Sequence, residues 1–329
     1  MKLAIVILNW NGQQLLETFL PSVVDDSDGH SIYVIDNAST DTSVSFLETH
    51  FPKIHCIKLD SNFGYAAGYN KGLEQINADI FCLLNSDVEV TKNWLKPILN
   101  TFKTEINTVI IQPKILDYHQ KNKFEYAGAG GGFIDQLGYP YCRGRIFETL
   151  EEDRGQYNDQ KDIFWASGAC LFIRAKTFKE LRGFDSNFFS HMEEIDLCWR
   201  AKNRGLTVTY VGTSTVYHVG GASLKSSHPK KTFLNFRNSL FTLVKNSSKP
   251  LLVVLLLRLV LDGIAGLRFL LQAKPKHIIA IIKAHGSFYI SLPYLLQFRN
   301  QHSNRKSHQQ IPSIVWSYFV RNNKYFNKL

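Results

Sequence analysis

Three acidic side chains stand within four positions in the stretch HMEEIDLCWR, residues 191–200: Glu193, Glu194 and Asp196. A carboxylate can act as a general base when it lies within hydrogen-bond reach of the hydroxyl that it deprotonates. Ser190 precedes Glu193 by three residues, the spacing of a helix capping box, and Asp196 precedes Arg200 by four, the spacing of a helical ion pair. Glu194 has no such local partner. The spacing alone leaves open which of the three acids, if any, does chemistry.

Strands and helices that alternate along the first 90 residues must position such a base. The apolar runs at 3–8, 32–36, 55–59 and 80–87 predict strands, and segments with helical spacing lie between them. Short connections between alternating strands and helices favour an α/β fold with a parallel, doubly wound sheet. Ligands of such sheets bind beyond the carboxyl ends of the strands.

Polar residues follow all four predicted strands: Asn9 to Gly12, Asp36 and Asn37, Asn62 to Gly64, and Asn85 to Asp87. One polar strand end is ordinary turn chemistry, but four at the same edge favour a binding pocket. The stretch NWNGQQ after the first strand does not match the dinucleotide fingerprint GxGxxG, which argues against NAD or FAD. The glycine-rich stretch GAGGGF, residues 128–133, has no strand-then-helix context, and we expect a flexible loop there.

Seven strings occur in one order along the chain: VILNWNG, VIDNASTD, NFGYAAGYNKG, LLNSD, SGACLFIR, GFDSNFF and EEIDLCWR, followed by His218 in VYHVGGAS. Together they resemble inverting glycosyltransferase family 2, which has the GT-A fold, and most closely its rhamnosyltransferase-like branch. The resemblance covers about residues 1–245. It implies transfer of a sugar from a nucleotide-diphosphate donor, linked to dTDP, UDP or GDP, to a saccharide or polyprenyl-linked acceptor in cell-surface polysaccharide synthesis.

The resemblance also implies roles for individual residues. Asp36 stands where the family binds the nucleoside. Asp87 stands in the family's DxD-type motif, whose first position here is Asn85, and His218 resembles the second protein ligand of a divalent cation, Mn²⁺ or Mg²⁺. The expected nucleotide- and donor-binding residues are Asn9, Asn11, Asp36, Asn37, Asn62, Gly64, Gly68, Asn70, Asn85, Gly168 and Ala169.

The family pattern at the acidic cluster is Glu-Asp-x-Asp, and its first Asp is the general base. Glu194 stands at that position with one extra methylene. The resemblance therefore implies that Glu194 removes the acceptor proton, with Asp196 as the second candidate, and that the anomeric configuration inverts. Two other interpretations remain: a degenerate transferase that serves as a scaffold, to which the departures at Asn85 and Glu194 point, and a nucleotidyltransferase. The latter needs a basic phosphate loop near the first strand, and NWNGQQ contains neither Lys nor Arg.

Charge divides the chain into two parts. The last 81 residues carry 12 Lys and Arg but one acid, whereas residues 1–248 hold the other 26 basic and 27 acidic residues. We therefore expect a catalytic domain at 1–245 and a basic, helical extension at 246–329. In the apolar segment 250–272, Arg258, Asp262, Arg268 and Gln272 share one helical arc. This helix either lies in the membrane interface or packs on the catalytic domain.

A second apolar segment follows at 277–298, and basic and aromatic residues follow it. Cations with interfacial aromatics suit an anionic membrane surface, and the apolar content argues against nucleic acid as the partner. Five widely spaced cysteines predict reduced thiols in the cytoplasm. We expect a cytoplasmic enzyme attached peripherally to the inner face of the cell membrane. The QxxRW string of the family's processive synthases is absent from the sequence, which favours addition of single sugars.

Overall fold

Strands and helices alternate along the first half of the chain, and long helices dominate its last third. The computed structural model describes residues 1–220, 228–301 and 304–329. The strands are β1 (Leu3–Asn9), β2 (Ser31–Asp36), β3 (His55–Lys58), β4 (Ile80–Asn85), β5 (Val88–Val90), β6 (Thr108–Asp117), β7 (Gly132–Ile134), β8 (Pro140–Cys142), β9 (Arg145–Ile146), β10 (Thr149–Leu150), β11 (Gln160–Asp162), β12 (Cys170–Arg174) and β13 (Thr207–His218). The helices are α1 (Gln13–Asp25), α2 (Ser43–His50), α3 (Gly64–Leu73), α4 (Leu95–Thr104), α5 (Ala175–Glu180), α6 (Glu193–Asn203), α7 (Pro229–Asn246), α8 (Leu251–Leu271), α9 (Pro275–Gln301) and α10 (Ile314–Phe319).

The main sheet has the order β11-β13-β6-β12-β4-β1-β2-β3, and β5 pairs with the end of β13. Strands β3, β2, β1 and β4 are parallel to one another, β13 is parallel to β6, and β12 runs antiparallel between β4 and β6. The predicted mostly parallel α/β sheet with flanking helices is therefore confirmed. Strand β2, which follows β1 in the chain, lies on one side of β1, and β4 lies on the other side. Because the strand order reverses at β1, a crevice forms beyond its carboxyl end.

Helices cover both faces of the main sheet, as its apolar strands require. On one face, side chains of α1, α2 and α4 such as Leu16, Leu47 and Ile98 share a core with the strands. On the other face, α3, α5, α6 and α7 bury residues such as Leu73, Phe178 and Trp199. The site residues at the strand ends are thus held between two packed layers.

The glycine-rich stretch 128–133 is not a flexible loop, and that expectation is wrong. Its residues are buried, and Gly132 begins β7 in a small antiparallel sheet of the order β10-β9-β8-β7. A Cβ atom on Gly132 would lie 2.1 Å from the Trp165 ring. The glycines therefore allow close packing of a second sheet on the domain.

Half of the polar arc of α8 faces inward, whereas Arg268 and Gln272 of the same arc are exposed. Arg258 and Asp262 are buried, and Arg258 Nε donates to Asp262 Oδ1 at 2.7 Å. Tyr139, in the turn between β7 and β8, donates its hydroxyl proton to Asp262 Oδ1 at 3.1 Å, and the Arg258 guanidinium lies 3.9 Å from the Tyr139 ring centroid. Helix α8 therefore packs on the domain through its polar side and leaves its apolar side exposed.

Helix α9 runs back along α8 and packs on α7. It buries Ala280, Ala284 and Phe288, and Arg299 near its end donates to the carbonyl of Val244 at 2.9 Å. By length and composition alone, α9 is the one helix of the described residues that could cross a bilayer. One such helix is weak support for a membrane span, because buried core helices pass the same test.

Candidate functional site

The polar ends of β1 and β2 meet, as the sequence predicts. Asn9 is buried and its amide donates to Asp36 Oδ1 and to Ser39 Oγ, each at 3.2 Å. Asp36 Oδ2 accepts from the backbone N–H of Ser39 at 3.0 Å. Asn11 accepts from the backbone N–H of Thr40 at 2.7 Å. Asn9 and Asn11 thus fix the two loops that border the crevice.

Asn37 and Asn62 join the second and third strand ends. The Asn37 amide donates to Asn62 Oδ1 and to the carbonyl of Gly64, each at 3.1 Å. Gly64 begins α3 with φ +74°, and a Cβ there would lie 2.7 Å from the Phe189 ring. Only glycine combines that backbone conformation with so close an approach.

Four other residues of the predicted donor set lie behind or beside the crevice. Gly68 packs against Leu8, and Ala169 is 3% exposed. Asn70 bonds with both its amide and its carbonyl oxygen to the backbone of Phe184, at 2.8 and 2.9 Å, which is a structural task. The carbonyl of Gly168 accepts from the Tyr65 hydroxyl at 2.9 Å.

Asp87 and His218 lie side by side because β5 pairs with the end of β13. Val88 is opposite His218 in that pairing, which brings Asp87 Oδ1 within 3.2 Å of His218 Nε2. Both side chains are buried, and Asn85 Nδ2 lies 3.4 Å from the same imidazole nitrogen. Of the VYHVGGAS string, residues 221–223 lie outside the described residues.

The Asp87–His218 pair fits a divalent cation. Two neighbouring ligands of an octahedral cation, each at about 2.1 Å, are separated by about 3 Å, close to the separation observed here. On the other side of the ring, Nδ1 of His218 lies 3.3 Å from Glu125 Oε2. Carboxylates commonly orient a metal-binding imidazole in this way. Glu125 has no signal in the sequence that marks it.

Charge is concentrated in the triplet formed by Asp87, His218 and Glu125. Burial by itself lowers the pKa of His218, but the carboxylates of Asp87 and Glu125 outweigh it and raise that pKa to about 10. Burial likewise favours neutral Asp87, yet the contact with His218 holds its pKa below the usual value. The triplet is therefore an imidazolium between two carboxylates when no other cation is bound.

The acidic cluster begins α6, but the predicted capping box is wrong. The residue before the helix is Met192 in a left-handed conformation with φ +73°, and no side chain caps the first turn. Glu193 is 4% exposed and Glu194 is partly exposed, yet Oε2 of each is enclosed without a hydrogen-bond partner. Glu193 therefore lacks the structural task that the spacing suggested.

Burial changes the acidity of both residues. It raises the pKa of Glu194 to about 7, with a partial offset from the backbone N–H groups at the start of the helix. Burial, together with the negative charge of Glu194, places the pKa of Glu193 well above its usual range. A carboxyl that titrates near neutral pH is suited to proton transfer.

Asp196 has a different environment. It is 0% exposed, and its oxygens accept from Arg200 Nε at 2.8 Å, Lys245 Nζ at 2.9 Å and Asn246 Nδ2 at 2.8 Å. The ion pair with Arg200 that the spacing suggested is therefore present. Lys245 and Asn246 come from the end of α7, so Asp196 joins α6 to α7.

The loop before α6 is strained, and its carbonyls accept hydrogen bonds from Arg237 and Asn238 of α7. Phe189, His191 and Met192 all have positive φ. Asn238 of α7 donates to the carbonyls of Phe188, Ser190 and His191 at 3.0, 2.9 and 2.7 Å. Three left-handed residues in one loop need such outside support. Nothing in the sequence alone separates Asn238 from other polar residues of α7.

The same loop connects the acids to the donor crevice. The carbonyl of Phe189 accepts from the backbone N–H groups of Tyr65 and Ala66 in the first turn of α3, at 2.9 and 3.3 Å. Helix α3 begins at Gly64, next to the amides of Asn37 and Asn62. The loop that leads into Glu194 is thus hydrogen-bonded to the helix that begins beside the strand ends.

The Glycosyl transferase family 2 domain matches residues 4–182, which is more than half of the chain. The chain belongs to glycosyltransferase family 2. This glycosyltransferase is 25% identical over 243 residues to the low-salt glycan biosynthesis hexosyltransferase Agl10 of Haloferax volcanii, covering 72% of this chain and 73% of that one. It is 23% identical over 255 residues to the N-acetylglucosaminyl-diphospho-decaprenol L-rhamnosyltransferase of Mycobacterium tuberculosis, covering 70% and 83%.

Solved structures of glycosyltransferases share the fold. The structure of GalNAc-T7 with UDP, GalNAc and Mn²⁺ superposes with a TM-score of 0.59 at 14% identity, covering 98% of this glycosyltransferase and 57% of that chain. The mannosyltransferase PcManGT from Pyrobaculum calidifontis, in complex with GDP-Man and Mn²⁺, gives a TM-score of 0.52 at 12% identity, covering 92% and 73%. The predicted GT-A fold and the glycosyltransferase class are confirmed.

Proposed function

We propose that this glycosyltransferase moves a sugar from a nucleotide diphosphate, linked to UDP, dTDP or GDP, to a hydroxyl of a polyprenyl-linked saccharide, with inversion at the anomeric carbon. The observation that carries the proposal is one site with three chemically distinct parts. Amides and carboxylates line the strand ends, an Asp–His pair fits a divalent cation, and an acid with a pKa near 7 begins α6, after the loop that contacts α3.

The strand ends would bind the donor nucleotide. Asp36 presents carboxylate oxygens at the end of β2, where a ribose or base can donate hydrogen bonds. Asn9 and Asn11 hold the two flanking loops in place through their bonds to Asp36, Ser39 and Thr40. Asn37, Asn62 and Gly64 fix the start of α3. Gly68, Asn70, Gly168 and Ala169 act mainly in packing around this surface.

Asp87 and His218 would hold Mn²⁺ or Mg²⁺ together with the donor diphosphate, and Asn85 stands beside them. When bound, the cation supplies stabilisation of the negative charge that develops on the departing diphosphate. Glu125 keeps the His218 ring in orientation. The buried carboxylate of Asp87 is ionised at neutral pH, as a hard-oxygen ligand must be.

Glu194 would accept the proton of the acceptor hydroxyl. Its enclosed Oε2 has no partner among the described residues, and burial places its pKa near the working pH. Asp196, the second candidate, already accepts three charge-assisted or amide hydrogen bonds and is closed to solvent. We therefore assign the base to Glu194 and a structural task to Asp196.

The exposed side of the extension would lie on the inner face of the cell membrane. Large apolar residues cover the outer side of α8 and α9: Leu252, Val253, Leu256, Leu257, Val260, Ile264, Leu267, Leu270, Leu271, Ile279, Ile282, Tyr289 and Ile290, all at least half exposed. Such a surface in water is costly and marks a membrane or protein contact. A relative that acts on a decaprenol-linked sugar supports the membrane. Helix α9 packs on α7, which favours attachment over a span.

Transfer can be tested with purified protein, lipid extract that contains polyprenyl-linked saccharides, and UDP-, dTDP- and GDP-sugars in turn. We expect one donor to be consumed with formation of an extended lipid-linked product of inverted configuration. Consumption of no donor, by protein that binds the nucleotides, would point to a scaffold. For attachment, Leu256→Ser with Leu267→Ser should reduce co-sedimentation with phosphatidylglycerol vesicles at least tenfold. Unchanged co-sedimentation of the double variant would contradict the membrane face.

A further inference from the structure

An open groove runs along the exposed side of the extension, between α8 and α9. Its volume is about 370 Å³, and apolar side chains such as Leu259, Leu267, Ile278 and Ile282 form its walls. The lining on α8 extends from Leu259 to Leu270, which corresponds to about 16 Å of helix. The groove therefore has the shape of a channel for an extended apolar chain.

Two glycines keep the groove open. Gly263 and Gly266 lie inside α8, and a Cβ atom added to either would meet nothing within 4 Å. Each helical glycine costs about 1 kcal/mol relative to alanine, so packing does not account for their presence. The two positions without side chains leave the groove open to a ligand.

The end of the groove at the α8–α9 turn lies near α7. At the turn between α8 and α9, Nδ1 of His277 lies 2.7 Å from the Thr232 hydroxyl in the first turn of α7. Lys230, also in the first turn of α7, has its Nζ 5.0 Å from the centroid of the Phe189 ring, which lies in the loop before α6. One end of the groove therefore lies close to the start of α7, which contacts the loop that leads into Glu194.

Exposed cations lie around that end of the groove, and Lys283 is a further exposed cation on α9. Arg268, Lys274 and Lys276 flank the α8–α9 turn, and Lys230 lies on the first turn of α7. At the floor of the groove, Asp262 is already paired with Arg258 and His285, at 2.7 and 3.1 Å. The groove thus combines apolar walls, a neutralised floor and a positive mouth.

We propose that this groove binds the prenyl chain of the acceptor lipid, with the diphosphate of that lipid at the cationic mouth. The inference rests on the proposed function and names where its acceptor lies. A long isoprenoid fits an apolar groove that ends in cations, and it would present its saccharide toward Glu194. A two-chain phospholipid of the bilayer is the competing occupant, and the experiment separates the two.

The test uses the full chain and undecaprenyl phosphate as the probe. The wild type, Gly266→Leu and Gly286→Leu are each sedimented with phosphatidylcholine vesicles, with and without the probe. The probe makes up about 2% of the lipid, on the order of the charge density of a weakly anionic bilayer. The substituted leucine fills the groove in the first variant. Gly286 of α9 is the matched control, since a Cβ there also meets nothing within 4 Å and the residue does not line the groove.

We expect the probe to raise vesicle binding of the wild type and of Gly286→Leu. For Gly266→Leu, we expect the increase caused by the probe to be at least tenfold smaller, with binding to plain vesicles unchanged. Equal probe dependence in Gly266→Leu and the wild type would overturn the proposal. So would an equal increase with phosphatidylglycerol at the same charge, which indicates a phospholipid site. Nucleotide-sugar turnover is not read in this assay, so failure of the proposed function would show separately, as loss of donor consumption with probe binding intact.

Discussion

Replacing Glu194 with glutamine should stabilise the protein and abolish its activity. In the folded chain, burial raises the pKa of Glu194 from the ordinary 4.5 to about 7. Such a shift means that ionised Glu194 destabilises the fold by about 3 kcal/mol relative to the neutral acid. Glutamine has the shape of the neutral acid and never ionises. The variant is therefore expected to gain about 2–3 kcal/mol at pH 8.

The pH dependence identifies the cause. The stability that neutral Glu194 contributes is fully present below its unfolded pKa of about 4.5 and is lost as pH rises through about 7. The advantage of Glu194→Gln should therefore be large at pH 8 and absent at pH 4.5. For a chain of 329 residues, 3 kcal/mol corresponds to about 4 °C in Tm.

Two assays measure the prediction. Thermal unfolding of both proteins from pH 4.5 to 8 should show Tm values that separate only at the upper end. Sugar transfer by the variant should fall about 10²–10⁴-fold, which is the usual contribution of a general base. For the wild type, kcat should rise with pH and level off above about 7. A variant that is more stable but inactive would show that ionised Glu194 lowers the stability of the fold and is required for catalysis.

Glu193→Gln is the matched control. Glu193 is buried in the same turn with an unpartnered oxygen, and its pKa is also raised well above the usual range. The substitution should raise stability at high pH as well, but leave kcat within about tenfold of the wild type, because we assign the proton transfer to Glu194. A fall in activity for Glu193→Gln with none for Glu194→Gln would refute the assignment of the base.

Two further predictions concern α7. Asn238→Ala removes the donor to three carbonyls of the loop 188–191, so misplacement of Glu194 should lower kcat about 10- to 100-fold, while the Kd of the donor nucleotide stays the same. Asn235→Ala, at an exposed position of the same helix, is the control. An equal loss of kcat in both variants would contradict a positioning role. Lys245→Met leaves the buried carboxylates of Asp185 and Asp196 without their shared cation, and urea unfolding should show a loss of about 3 kcal/mol; Lys58→Met at the exposed pair with Glu48 should show no measurable change.

The sheet and the polar ends of its strands could be predicted from the sequence because their signals are local. Runs of branched apolar residues mark β1, β2 and β4, and each run ends directly in its polar residues. Parallel strands bring such ends to one edge, so the meeting of Asn9 with Asp36 and of Asn37 with Asn62 needed no knowledge of distant contacts.

The parts that depend on distant contacts were missed. Spacing suggested a capping box at Ser190 and Glu193, but Asn238, 48 residues farther along the chain, holds the carbonyls of that loop instead. Glu125 and Lys245 likewise act through residues distant in sequence. Periodicity correctly placed Arg258 and Asp262 on one side of a helix, but it could not tell whether that side faces water or protein. The buried contact with Tyr139 decides it.

The central claim is that Asp87 and His218 hold a divalent cation together with the diphosphate of a nucleotide donor. The most direct measurement is thermal stabilisation of the purified protein by UDP, dTDP, GDP and CMP, each with and without Mn²⁺, for the wild type and Asp87→Asn. We expect one nucleoside diphosphate to raise Tm only when Mn²⁺ is present, and Asp87→Asn to lose that increase. Stabilisation by the same nucleotide without metal, or to the same extent in Asp87→Asn, would contradict the claim.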